Sequence, residues 1–451
     1  MSKRAFVLSV CTAATLLATA ASASAANLWV SSTTPVSSPH SSCVHPGYST
    51  IQSAIAIATS GSSIHVCPGT YTEQLVITEP LKLVAVDGAG SAKVVLPGSP
   101  AISKTACDEV SLAGLKKQAK EQREKEELEQ GKPVTEGVPQ PDEDAVSICT
   151  SGTVGITGLT FEPKWALGTC NDSLYGILVA GGATLVASNM AVDGGGAFPI
   201  NGCQGGIGIQ VGMAWSVPIE AGHATLTHDT VGEYQKNGIT IDGKESSAKI
   251  STTIVTGAGP TPETAQNGIQ VSNGALATIQ TSTISGNECD NASCGSNAFA
   301  ETQATGVLFY GAAHGSKVTS STLKENDIGA YFVSTNPTQP HTPEVTISQD
   351  EMNADRYEGV ALDQGDASVK SDTIDGPGNI GIELFQYEQQ TYAPTSSASG
   401  DTIENMRGAA VEVQSDKAPG DDPGSFTISN SSFLKDAQAL DDESSTFTVV
   451  L

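Results

Sequence analysis

Residues 268–284 read GIQVSNGALATIQTSTI: two short runs of alternating apolar and polar residues, separated by Asn273-Gly-Ala275. Both runs recur along the chain. The first returns as GILVA from Gly176, GIQVG from Gly208, GITID from Gly238, GVLFY from Gly306, GAYFV from Gly329, GVALD from Gly359 and GIELF from Gly381, with a degenerate AVEVQ from Ala410. Successive starts lie 32, 30, 30, 38, 23, 30, 22 and 29 residues apart. The second run follows each first one, for example as ATLTHDTV from Ala224, AKISTTIV from Ala248, SKVTSSTL from Ser316 and ASVKSDTI from Ala367. In most copies a Ser, Thr or Asp stands two residues before the last apolar anchor.

Alternation over three to five residues describes a short strand with one face inward. Small and polar residues between the strands suit tight bends. Two or three such strands fit in about 22 residues, so each repeat closes one coil and stacks on the last. A β-sandwich would need hairpin turns and would leave two phase-locked phrases unexplained. The expected fold is therefore all-β: a single parallel β-solenoid of about 11–12 coils with a continuous aliphatic core, on the order of 55 Å long.

The stretch YSTIQSAIAIATSGSSIHVCPGTYTEQLVITEPLKLVAVDGAG, from Tyr48 to Gly90, resembles the opening of right-handed parallel β-helix proteins of the pectin-lyase-like superfamily. Ile51, Ala54, Ile55 and Ala58 fall at helical spacing, as expected of a short N-terminal helix capping the first coil. Gly69-Thr-Tyr71-Thr-Glu73 matches the G-x-Y-x-E phrase of pectin methylesterases, a phrase shared with many β-helix proteins that are not esterases. The resemblance implies the fold over residues 42–451 and no particular reaction. The QDTL and DFIFG phrases of methylesterases, the NTD and DD phrases of polygalacturonases and the DPH signature of mannuronan epimerases do not occur, and Gly222-His223-Ala224 is not a full GHG-like motif. A nucleophile-elbow serine, a P-loop and HExxH are also missing, and seven scattered histidines show no metal spacing. His65, His223 and His228 read as structural.

The N-terminus reads as a secretory signal over residues 1–26, with Lys3 and Arg4 before the apolar stretch Ala5–Ala20 and small residues at the cleavage point. Residues 27–41 read as a polar linker. Outside the signal stand eight cysteines, Cys43, Cys67, Cys107, Cys149, Cys170, Cys203, Cys289 and Cys294. An even number in an exported chain favours disulfides, and pairing in sequence order is the simplest arrangement. Residues 108–146 interrupt the repeat with a charged, partly helical or disordered insertion followed by a Pro-rich stretch. A Cys107–Cys149 bridge would close it at its base.

Asp and Glu number 49 against 22 Lys and Arg, a net charge of −27, which becomes −29 once Lys3 and Arg4 leave. That excludes nucleic-acid binding by phosphate neutralisation and disfavours anionic membranes. No segment after the signal is apolar enough to insert in a membrane, and oligomeric state is not legible.

With the apolar residues of the Gly-led strands inward, the residues between them form an outward face. On it Asp363, Glu383 and Glu412 fall on three consecutive coils, with Tyr310, Tyr331 and Phe385 as a sugar-stacking platform and Gln270 further along. Paired carboxylates suit glycoside hydrolysis. Asp363 and Glu383 could instead hold Ca²⁺ through oxygen ligands, the one cofactor this sequence suggests. Arg356 and Arg407 could offer a cation to a uronate carboxylate or act in β-elimination. The expected function is an exported protein that binds extracellular or cell-surface polysaccharide. A lyase or glycoside hydrolase of acidic glycans is the alternative, and an adhesin-like rod the second.

Overall fold

The computed structural model describes residues 25–97, 107, 143–165, 174–214, 219–290, 304–335, 344–386, 393–415, 424–443 and 448–450. Three long sheets of 14, 12 and 12 strands run the length of the chain. Each coil visits them in turn, as in Ser247–Ser251 on the first sheet, Ile254–Thr261 on the second and Asn267–Ser272 on the third. The next coil then begins on the first sheet at Leu276–Gln280, parallel to and in register with Ser247–Ser251. The Gly-led phrase is thus the third-sheet strand, and the second phrase spans a first-sheet strand, a bend and a second-sheet strand.

Register explains which residues can repeat. Ile209, Ile239, Ile269, Val307, Ala330, Val360, Ile382 and Val411 stack one upon another, all fully buried. One apolar cluster runs unbroken from Leu28 to Ile428. The leading glycine is required by close approach between coils. A Cβ on Gly238 would lie 2.6 Å from the Gly268 carbonyl oxygen, and one on Gly268 would lie 2.7 Å from that of Gly306.

The Ser/Thr/Asp of the second phrase caps the bend between the first and second sheets. The residue before it takes a left-handed backbone, as at Thr252, Thr281, Ser320, Gln349 and Ser371. Its side chain then accepts the amide of the equivalent residue one coil earlier. Thr253 N–H donates to Ser282, Ser282 to Ser321, Ser321 to Asp350, Asp350 to Asp372, Asp372 to Asp401 and Asp401 to Ser431, at 2.7–3.2 Å. This ladder satisfies backbone donors that the bend would otherwise orphan.

The N-terminal helix spans Ile51–Ile55 and buries Ile51, Ala54 and Ile55. Thr50 caps it, and both Glu73 oxygens accept helix amides, from Ile51 at 2.8 Å and Gln52 at 2.9 Å. The Gln52 amide pairs with the backbone of Val76, on the terminal strand of the third sheet. Tyr71 is buried with its hydroxyl donating to the carbonyls of Val30 and Cys67. Tyr71 and Glu73 of the G-x-Y-x-E phrase therefore serve the fold.

Two boundaries differ from the sequence reading. Asn27–Val30, expected within a linker, is a strand paired with Ser63–Val66, because its alternating Leu28 and Val30 extend the core. The solenoid begins there and not at residue 42. Residues 143–146, expected in the insertion, start the third-sheet strand Glu143–Cys149. The rest of the insertion and residues 1–24 lie outside the described residues. Cys43 bonds to Cys67 and Cys107 to Cys149, with Cα atoms 5.6 and 6.0 Å apart. Cys203 and Cys289 are also disulfide-bonded, while Cys170 and Cys294 lie outside the described residues. Among the described residues no helix is long and apolar enough to cross a membrane.

Two outcomes follow. Glu73→Ala removes both carboxylate acceptors at the helix start, and thermal or denaturant unfolding should show a loss of about 1–2 kcal/mol. Burial pushes the ladder carboxyls up, Asp350 to about 7 and Asp372 to about 8, the latter helped by Asp350 and Asp401. The folded chain therefore binds more protons than the unfolded one, and stability falls as pH rises through these values. Asp372→Ser, which places at this rung the residue found at Ser321 and Ser431, should keep the cap and shrink the fall in melting temperature between pH of about 5 and about 9.

Candidate functional site on the third sheet

The outward rows of the third sheet follow from its register. One runs Gln270, Leu308, Tyr331, Ala361, Glu383, Glu412 and Asp441 on successive coils. The row beside it runs Ser272, Tyr310, Val333, Asp363, Phe385 and Gln414. Asp363, Glu383 and Glu412 thus share three adjacent coils. Tyr331 donates its hydroxyl to Asp363 Oδ2 at 2.6 Å, and Gln414 donates to Glu412.

A fourth carboxyl completes the group. Glu358 opens the strand that carries Asp363; it is fully buried, and its carboxyl meets that of Glu383. Neither Glu358 oxygen makes a hydrogen bond of ordinary geometry, and Glu383 Oε1 is unpartnered as well. Glu383 is 3% exposed and Asp363 5%. Burial, with Asp363 and Glu412 adding like charge, pushes Glu383 up to about 8. Burial and the Glu383 carboxyl hold Glu358 well above the ordinary carboxylate range. Two carboxyls in contact in a dry site cannot both ionise at neutral pH, so this pair holds a proton.

The other expected members are distributed differently. Tyr310 is 46% exposed, two coils or about 10 Å from Asp363 along the axis. Tyr331 is half-buried and Phe385 is buried, so Tyr310 alone of the three presents an open ring. Gln270 stands four coils from Glu383 and bonds Asn237 and Ser272. Arg356 does not reach the carboxylates. It sits at the bend before its strand, where its guanidinium binds Asp327 Oδ1 at 2.6 and 2.9 Å and donates to the Cys289 carbonyl. Arg407 donates to the Arg356 carbonyl at 3.2 Å and is exposed. The like charges acting on Glu383 are those of Asp363 and Glu412, and the two arginines stand apart from it at the bend. Among the described residues no three of these carboxylates bring oxygens within 4.8 Å of one another, so Asp363 and Glu383 do not belong to a preformed three-acid calcium centre.

Glu358 is absent from the outward rows because it precedes the glycine, outside the strict alternation. Asn237 and Asn267 occupy the same rung and bond each other there, a cue that this position faces the site. Glu358→Gln keeps the size of the side chain and prevents double ionisation of the pair. Its melting temperature should fall less than that of the wild type between pH of about 6 and about 9, as read by circular dichroism.

No protein-family profile matches the sequence, and no curated protein matches it. Among solved structures, the catalytic domain of Agl-KA is similar at 11% identity with a TM-score of 0.56, over 88% of this chain and 63% of that one. The catalytic domain of a GH87 alpha-1,3-glucanase in complex with tetrasaccharides is similar at 10% identity with a TM-score of 0.50, over 86% of this chain and 63% of that one. The chain spans less than two thirds of the length of either. Its parallel three-sheet coil, fixed by register from Asn27 to Val450, is that of a right-handed parallel β-helix.

Proposed function

We propose that this is an exported protein that binds a polysaccharide across the outer face of the third sheet, between Tyr310 and Glu412. The observation that carries the reading is the buried, unpartnered carboxyls of Glu358 and Glu383 beside the Tyr331–Asp363 hydrogen bond. A protonated carboxyl donates to a sugar oxygen, a neighbouring carboxylate accepts from a sugar hydroxyl, and an open tyrosine ring stacks on a pyranose face. The span from Tyr310 to the Glu412 coil is four coils, about 19 Å, room for several sugar units in line with the axis. Six disulfide-bonded cysteines among the described residues suit an oxidising compartment. One of the two structures with the same fold holds tetrasaccharides.

The same pair favours a second, catalytic reading. Glu383 holding a proton at neutral pH has the character of a general acid, and Asp363 that of the partner carboxylate in glycosidic cleavage. Lyase chemistry relying on Arg356 has no support, since its charge is taken by Asp327.

The purified mature protein should be retarded in affinity gels by one or more neutral or acidic glycans, tested with and without Ca²⁺. Tyr310→Ala and Glu383→Ala should each weaken that binding about tenfold, which is about 1.4 kcal/mol. Unchanged binding in both variants, with folding intact, would remove this face as the site. Reducing ends appearing with the wild type and vanishing in Glu383→Gln would establish cleavage.

A further inference from the structure

The three sheets divide the charge unequally. Strands of the third sheet carry Asp242, Glu358, Asp363, Glu383, Glu412 and Asp441, among other acids, and no Lys or Arg. The strands of the first sheet contain no Asp or Glu in any of the 14, yet they carry Lys82, Lys249, Lys317 and Lys370. About one residue in nine of the chain is acidic. More than thirty outward positions would then be expected to hold three or four acids, and this face holds none.

All four lysines are exposed, and among the described residues none makes an ion pair. By contrast Lys93, on the second sheet, pairs with Glu162 at 2.6 Å. Lys82, Lys249 and Lys317 share one outward column, the last two separated by Thr278 alone. Lys370 stands in the next column, after Ser348. Most remaining outward positions are Ser or Thr, and several bond across coils, as Thr227 with Ser251 and Thr319 with Ser348. At one edge of the sheet Asp350 and Asp372 of the bend ladder are turned onto backbone amides.

We propose that the outer face of the first sheet is a second docking surface, for an extended acidic polysaccharide of the polyuronate class. The inference goes beyond the third-sheet reading and uses none of its residues. Charge complementarity selects an anion, because four exposed lysines without ion pairs among the described residues stand on strands that carry no acid, in a strongly acidic protein. Two coils between Lys249 and Lys317 set the cations about 10 Å apart. That density suits a polymer with carboxylates interspersed among hydroxyls, which the serine and threonine rows can bond. Nucleic acid, at one charge per about 1.7 Å, would meet the net −27 with too few compensating lysines.

The test is affinity electrophoresis of the full mature chain in gels holding polygalacturonate, dextran or inorganic polyphosphate. The wild type should be retarded by polygalacturonate at an ionic strength of about 0.01 M and released near 1 M, as the screening length falls from about 30 to about 3 Å. The triple variant Lys249→Gln, Lys317→Gln, Lys370→Gln should weaken retardation at least about fivefold. The second-sheet double variant Lys93→Gln, Lys324→Gln should bind polygalacturonate as the wild type does. Wild-type retardation of the triple variant would overturn the proposal. So would equal loss in the second-sheet variant, equal retardation by dextran, or stronger retardation by polyphosphate. Loss of polygalacturonate binding in Glu383→Ala would transfer it to the third sheet, whereas failure of Tyr310→Ala and Glu383→Ala to affect any glycan would leave this face untouched.

Discussion

Everything in this chain depends on parallel coils hydrogen-bonded in register, which set each residue about 4.8 Å from its equivalent in the next coil. Stacking like on like is cheap for isoleucine, valine and a hydroxyl, and the core and the serine–threonine rows exploit it. It is costly for like charges. The same register that aligns Ile239 over Ile269 also aligns Glu383 with Glu412 and Asp350 with Asp372. Two remedies are visible. At the bends each carboxylate accepts backbone amides from two directions, as Asp372 does from Asp350 and Lys370. On the third sheet no amide is offered to Glu358 or Glu383, and a retained proton acts alone, whereas at the bends raised pKa values act together with the amides.

Much of the solenoid was legible because its constraints repeat. The glycine before each third-sheet strand answers a backbone contact made again at every coil, and the Ser/Thr/Asp of the second phrase answers the same unsatisfied amide at each bend. A periodic cause leaves a periodic trace. What escaped reading occurs once. Glu358 breaks the alternation at a rung held in the neighbouring coils by Thr305, Ile328 and Ile380, and only the folded coil brings its carboxyl onto Glu383. Arg356 looked available beside an acidic row, but its partner, Asp327, lies at the equivalent bend one coil earlier, off the sheet face. Asn27–Val30 was too short and too far from the first repeat to separate from a linker, although its leucine and valine occupy core positions.

Sorting of charge by sheet is a further product of the three-sided section. Each side of the coil is a separate surface with its own row of outward residues, so composition can drift independently on each. A compact globule with the same net charge would mix these residues over one surface. Here one side is hydroxylic and basic, one acidic and partly dry, and the second sheet carries both signs, with Lys93 paired to Glu162.

The Cys107–Cys149 bond joins the chain across the charged excursion, at the threshold of the third-sheet strand that ends at Cys149. Peptide bonds between these two cysteines are therefore not needed to hold the N-terminal coils to the rest. A protease that cuts between residues 108 and 142 would yield two polypeptides tied by one covalent staple and by the continuous core.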